Sequence, residues 1–356
     1  MSGALGQTLA QSDLPENETE WRNVLRLSRV HLATNMLRWS LREQRLFLDL
    51  PSDIVEFLDV FYALNLDHNR RCVDQLAHLT QTLNSIDVAP LPLKGAATFV
   101  NGLYPTLGER MISDIDVLIP APRLPEILNK LASVGYQPIY TGRDLPNPQG
   151  FESQGHHYPP VINPDWPARV ELHVHPVHLP LIKVLASEDV FRDATALSWR
   201  GGELLLPSPT NFITHNIVHA SADFRRTNFL SLRQLFEFVH VIRSSGDQID
   251  WDVIKHRFED CGYRNYLRGY VAFANAYFGC QLPPGINIGG EDRLRQKLHQ
   301  TSVENSAVAW LLFIPNVIFR RARSLRNNPH DFKKLLNRGF YRRFWREVGD
   351  GPIDLV

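Results

Sequence analysis

Asp114 and Asp116 stand two residues apart in the run Ser113-Asp114-Ile115-Asp116-Val117-Leu118-Ile119. The β-branched and apolar residues around them read as a strand. Side chains alternate across a strand, so both carboxylates leave one face, roughly 7 Å apart at their Cα atoms. Neighbouring acids repel unless a cation lies between them, and oxygen ligands of this kind suit Mg²⁺. Upstream, Pro92-Leu93-Lys94-Gly95-Ala96-Ala97 reads as a strand end turning into a helix. A glycine there lets the backbone approach a ligand, and the helix start offers free N–H groups to an anion. An anion cradle followed by an Asp-x-Asp strand is the equipment of metal-assisted phosphoryl or nucleotidyl transfer.

A third acid is needed. Val170-Glu171-Leu172-His173-Val174-His175 alternates cleanly, which puts Glu171, His173 and His175 on one face. Glu171 is the candidate third metal carboxylate beside Asp114 and Asp116; a solvent-facing strand edge is the plainer reading. His173 suits the orientation of a carboxylate or phosphate better than it suits Mg²⁺. His156, His157, His175 and His178 crowd the same stretch, and imidazole suits Zn²⁺. A zinc-dependent phosphoester hydrolase using this His-rich strand is therefore the rival chemistry. A non-catalytic nucleotide-binding protein is the second alternative.

The order Lys94-Gly95, Tyr104, Arg110, Asp114-Ile115-Asp116-Val117-Leu118 resembles an uncharacterised bacterial nucleotidyltransferase family, a Lys-Gly … Asp-x-Asp subfamily of the DNA polymerase β-like superfamily. Ala96 stands where the superfamily usually has serine, and the gap from Gly95 to Asp114 is longer than usual; both features match the Lys-Gly subfamily. An acidic residue followed by Leu-His has its counterpart in Glu171-Leu172-His173. The similarity is best from Leu91 to Leu172 and weakens towards Ile242. It implies an α+β fold, a nucleotidyltransferase-type mixed sheet flanked by helices. The implied reaction is in-line attack of an acceptor on the α-phosphate of a nucleoside triphosphate such as ATP, releasing pyrophosphate. Asp114, Asp116 and Glu171 would hold two Mg²⁺ ions about 3.5–4 Å apart. Lys94, the Gly95 backbone and Arg110 would neutralise the triphosphate. The family has a histidine-bearing helix where His215 and His219 lie four apart, which implies contact with the nucleotide base or phosphates. A polar seam against the catalytic core is the plainer account of that pair. The acceptor stays open among a small molecule, a peptide, a protein side chain and an RNA end.

Composition sets the wider frame. The 356 residues are 44% hydrophobic and 21% charged, which fits a globular protein with more than one domain. Lys plus Arg equals Asp plus Glu at 38 each, so no whole-protein field draws in a polyanion. The three cysteines, Cys72, Cys261 and Cys280, are far apart and odd in number; they predict free thiols and a reducing, cytoplasmic setting. No basic start leads into an apolar run as in a signal peptide, and no apolar run reaches 18 residues.

The site must be positioned by four stretches. Residues 1–20 are polar and read as disordered. Residues 21–87 form an N-terminal helical region: Trp21 to Gln44, then Ile54 to Ile86 behind a Ser52 cap. Residues 88–207 form the catalytic core. There the pattern predicts strands at Pro90–Lys94, Ser113–Ile119 and Gln137–Tyr140, and helices at Gly95–Tyr104 and Pro122–Gly135. A loop over the site at Thr141–Gly155 leads to paired strands His156–Ile162 and Ala168–His175. Residues 208–356 form a C-terminal helical domain. It carries helices at Thr210–Ala222 and Phe229–Arg243, the second with Arg233 and Glu237 as an i,i+4 surface ion pair, and further helices at Trp251–Gly262 and Asn265–Phe278. An apolar helix, Ala307–Phe319, precedes a basic, aromatic-interleaved tail from Arg320 to Arg346. That tail could touch nucleic acid or anionic lipid, or be a solvated helix face.

Overall fold

The computed structural model describes residues 9–140, 144–227 and 230–304. The expected Ala307–Phe319 helix, the basic tail and part of the Thr141–Gly155 loop lie outside them. The fold is mixed α+β. Its sheet has five strands in the order β1-β2-β5-β4-β3: β1 Leu91–Pro92, β2 Asp114–Leu118, β3 Gln137–Pro138, β4 Val161–Ile162 and β5 Arg169–His173. The central pair β2 and β5 is parallel, and the pairings on either side are antiparallel. A separate hairpin, β6 Thr195–Trp199 and β7 Gly202–Leu206, abuts the β1 edge through Leu205 N–H to Pro90 O at 2.9 Å.

Helices cover both faces. On one side α3, Ser52–Asn84, and α5, Leu124–Ser133, pack on Ile115, Val117, Ile119, Val170 and Leu172. On the other, Leu118, Leu91 and Leu93 join the apolar faces of α7, Pro209–Thr227, α8, Leu232–Ser245, α9, Trp251–Asp260, and α10, Arg264–Phe278. The remaining helices are α1 Glu18–Val30, α2 Thr34–Glu43, α4 Lys94–Thr98, α6 Ser187–Arg192 and α11 Gly290–Glu304. Among the described residues no helix is long and apolar enough to cross a membrane. Cys72, Cys261 and Cys280 are free thiols.

Three differences from the sequence reading have local causes. The helix expected over Trp21–Gln44 breaks into α1 and α2, because Leu32 takes a left-handed turn at φ +52°. The helix expected over Gly95–Tyr104 is the five-residue α4, which ends before Asn101, Gly102 and Pro105. The β6–β7 hairpin was not anticipated. Its two-residue turn, Arg200-Gly201, has φ +46° and +81°, the geometry that suits the twist of a hairpin.

The long helix α3 does more than cover the sheet. Its Asn65 side chain donates to Gly108 O and Arg110 O at 2.7 and 3.1 Å, and Asn69 to Leu107 O and Arg110 O at 2.6 and 2.7 Å. His68 bonds Ile112 O at 3.0 Å. Gln75 takes both backbone groups of Ala168, at 2.8 and 3.0 Å, just before β5. One helix thus fixes the loop entering β2 and the residue entering β5. Those are the two strands whose relative register decides which carboxylates meet.

Candidate active site

The parallel register pairs Asp114 with Arg169, Asp116 with Glu171, and Leu118 with His173. Partners in a pair point to the same face. Asp116, Glu171 and His173 therefore converge, each offering a ligand atom within 4.8 Å of the others. Asp116 is 2% exposed and His173 is fully buried. Lys94 Nζ lies 2.6 Å from Asp116 Oδ1, and His173 Nε2 lies 2.8 Å from the same oxygen and 3.6 Å from Glu171 Oε2. Asp114 stands outside this trio, further along the same face, with Arg169 at 3.8 Å.

Charge sets each proton. Burial alone would raise the Asp116 carboxyl, but the Lys94 ammonium and the His173 hydrogen bond outweigh it and hold Asp116 well below the usual carboxylate range. Burial opposes Glu171 too, and His173 draws it down. Asp114 moves the other way: burial, then repulsion from Asp116 and Glu171, raises it. His173 is raised despite burial, because it hydrogen-bonds the Asp116 carboxylate and has that of Glu171 close by.

Lys94 is reached through strain. It sits at the start of α4 with φ +48°, a left-handed conformation that non-glycine residues avoid. At the next residue, Gly95, there is little room for a side chain. A Cβ at Gly95 would stand 3.0 Å from Ile112 Cγ1 and 3.2 Å from the Arg110 guanidinium. Arg110 thus lies directly behind the turn. It is 6% exposed, bonded to Met111 O and 3.4 Å from Glu237 of α8. The sequence reading put Glu237 in a surface pair with Arg233; it is instead 3% exposed and paired with Arg110. Ala96 is fully buried beneath the sheet, in the apolar core of Ile115 and Val117.

Helix α7 forms the facing wall. His219 lines a recess with Lys94, His156, His178 and Val218, and bonds Gln234 at 2.9 Å and Asp223 at 3.3 Å. His215 lines a second recess with Leu93, Lys94, Phe212 and Asn211. It is 5% exposed, its Nε2 is without a partner among the described residues, and burial holds it well below its ordinary pKa, hence neutral. Lys94 and Pro176 border both recesses. The histidine-rich stretch divides. His156 packs on His178 with ring centres 3.7 Å apart, and burial with these neighbours pushes it down to about 2. His175 turns away to Glu152 O and Ser187.

Lys94 and His173 thus meet on Asp116 with Glu171 alongside His173, Asp114 beside them, Gly95 and Arg110 behind, and His215 and His219 across. Sequence reasoning missed Arg233 and the polar stripe of α3. Asn65, His68, Asn69 and Gln75 recur at helical spacing along α3, and that periodicity was the available signal.

No curated protein matches the sequence. An antigenic nucleotidyltransferase-like protein from Paracoccidioides brasiliensis has a crystal structure that aligns at a TM-score of 0.36 and 16% identity, covering 61% of this chain and 94% of that one. A family model described as uncharacterised nucleotidyltransferase matches residues 17–279, which takes in the carboxylate strands, the Lys94-Gly95 turn and the wall of α7 and α8. With most of its 356 residues inside that match, the chain belongs to the uncharacterised nucleotidyltransferase family.

Proposed function

We propose that this protein transfers a nucleoside monophosphate from a nucleoside triphosphate to an acceptor, with release of pyrophosphate, and that it requires a divalent cation, Mg²⁺ by the chemistry of its ligands. The observation that carries this is the parallel register that sets Asp116 opposite Glu171 on one face. The residues fit a hard cation. Asp116 and Glu171 supply oxygen donors, and the Lys94 ammonium already stands at 2.6 Å from Asp116 Oδ1, where positive charge is evidently favoured. Asp114, Asp116 and Glu171 would hold the metal, which when bound supplies Lewis-acid polarisation of the phosphate and a more acidic acceptor hydroxyl.

The chain's own groups do the rest. His173 fixes the orientation of both Asp116 and Glu171 through one nitrogen. Lys94, released from Asp116, has its charge at the phosphate-facing turn. Arg110 adds positive potential behind Gly95. The buried, partly apolar wall around His215 keeps water from the reacting groups.

The test is incubation with each α-labelled triphosphate, Mg²⁺ and a cell extract, followed by identification of the labelled species. Label that appears with wild type and disappears with Asp116→Asn supports transfer; no labelled product with any triphosphate defeats it. One observation favours the zinc hydrolase as a second reading: the converging trio includes an imidazole nitrogen, His173 Nε2. Zinc retained through purification, with phosphoester cleavage that Mg²⁺ does not restore after chelation, would select it.

A further inference from the structure

Helix α8 brings a second arginine to the site, and its usual partner is taken. Arg233 and Glu237 are one turn apart, the spacing of a helical ion pair. Glu237 is instead committed to Arg110, at 3.4 Å across the helix–loop interface. Among the described residues no carboxylate lies within 4.0 Å of the Arg233 guanidinium. Its Nε is buried without a partner among the described residues, and the contact it does make there is a long one, 3.5 Å from Nη1 to Met111 O. Arg110 donates to the same carbonyl oxygen. Two guanidinium groups therefore converge on one backbone oxygen, three residues before Asp114, with one carboxylate between them. Glu109, the other acid nearby, is engaged by Thr106 at 2.5 Å.

Arg233 is thus the guanidinium of this set that has no carboxylate of its own among the described residues. Tyr104 Oη, Arg110 Nε and Glu237 Oε1 are also buried without hydrogen-bond partners. Burial, then repulsion by Arg110, pushes Arg233 down to about 10, so its cation is held at a cost. An uncompensated buried cation destabilises a fold. It persists here beside Arg110, whose guanidinium stands behind the Lys94-Gly95 turn, and close enough to Asp114 and His219 for their charges to interact. A guanidinium that no carboxylate engages among the described residues, next to the arginine that backs that turn, keeps donors that match the geometry of phosphate oxygens.

We infer that Arg233 is a phosphate-binding residue, which takes the polyphosphate end of the nucleotide from the α8 side. The inference rests on the transfer reading above, and it deepens it: the site is built for a polyphosphate rather than for a nucleoside or a monoester. Arg110 holds the turn from behind, and Arg233 supplies the contact that the ligand makes.

The test uses inorganic tripolyphosphate as the probe, with the full chain in EDTA, by titration calorimetry. Wild type should bind it. Arg233→Met should bind about tenfold to a hundredfold more weakly, the range for losing one charge-assisted contact. Arg233→Lys, which keeps the charge and loses the fork, should fall between. Adenosine affinity should be unchanged in both. The melting temperature of Arg233→Met without ligand should equal or exceed that of wild type, which a structural arginine would not allow. Unchanged tripolyphosphate affinity in Arg233→Lys and Arg233→Met overturns the inference, as does wild type that binds no tripolyphosphate. If Arg233→Met fails to fold, Arg233→Lys decides alone. The transfer reading fails by a different result: tripolyphosphate binding that depends on Arg233, in a protein that labels no acceptor.

Discussion

The two walls of the cleft are both buried and both charged, yet they are completed differently. On the sheet side every acid has an answer within the chain: Asp116 has Lys94 and His173, Glu171 has His173, and Asp114 has Arg169. On the helical side more polar atoms are left over among the described residues, His215 Nε2, Arg233 Nε, Glu237 Oε1 and, in the loop they face, Arg110 Nε and Tyr104 Oη, against His173 Nδ1 on the sheet side. A buried group without a partner costs about 1–3 kcal/mol. The contrast teaches that the sheet side is preorganised and self-neutralised, whereas the helical side gives up stability that a ligand can restore. Substitutions on the two sides should therefore differ in sign.

The largest effect should come from Asp116. Asp116→Asn leaves the Lys94 cation without its contact carboxylate in a site where the acid was 3% exposed. Breaking such a buried pair from one side typically costs about 3–5 kcal/mol, whereas removing both partners can be nearly neutral. Urea unfolding of Asp116→Asn and of Lys94→Met/Asp116→Asn should show the double variant regaining much of the loss. Equal destabilisation of both would mean that the pair does not carry the sheet-side stability.

Lys94 gives the next effect. Its ammonium occupies an oxygen that a metal would use, so free metal must displace it. Lys94→Met should bind Mn²⁺ alone at least about tenfold more tightly than wild type, by paramagnetic resonance titration, and bind tripolyphosphate more weakly. Identical Mn²⁺ affinities would remove Lys94 as the competitor and leave it a plain structural partner.

His215 tests the helical side through pH. Its ordinary value is 6.5 and burial depresses it in the fold, so the unfolded chain takes up a proton that the folded chain refuses. Its neutral form thus supports stability above pH 6.5, and that support declines as pH falls below 6.5. The slope approaches about 1.4 kcal/mol per pH unit for one such group. His215→Leu should be at least as stable as wild type at pH 7.5 and should lose less on going to pH 5.5. A variant less stable at both values, with the same slope, would show that His215 has a partner after all.

How much of this was legible in the sequence follows from which forces are local. The convergence of Asp116 with Glu171 was readable because alternation fixes the face of each side chain, and the apolar partners Ile115, Val117 and Leu172 fix which face is core. The strand that bears Asp114 and Asp116 and the long helix α3 were readable from their own periodicities. The left-handed backbone of Lys94 at the start of α4 was not, since its residue type gives no sign of it. The fate of Glu237 was not readable either. Sequence spacing offers it Arg233, and the choice of Arg110 is made by how α8 packs on the loop that Asn65 and Asn69 pin down. Short-range patterns gave the carboxylates, and long-range packing decided which cations answer them.

The smallest effect should be at Asp114, where the sheet side ceases to be self-neutral. Asp114 and Asp116 share a strand and a face, but their carboxyls are displaced in opposite directions. For Asp116, held below its ordinary 3.8, stability is present above pH 3.8 and is lost as pH falls through its lower folded value. For Asp114, raised above 3.8, the sign reverses: the fold favours the protonated acid, and stability is lost as pH rises from 3.8 through the folded value. In metal-free protein at neutral pH, Asp114→Asn should therefore be neutral or slightly stabilising, by under about 1 kcal/mol, since its Arg169 partner is a half-exposed contact at 3.8 Å. With Mn²⁺ the order should invert, because a bound cation makes the Asp114 charge favourable. The measurement is the melting shift that Mn²⁺ produces in wild type and in Asp114→Asn. A smaller shift in the variant places Asp114 among the metal's ligands. An equal shift confines the metal to the trio of Asp116, Glu171 and His173.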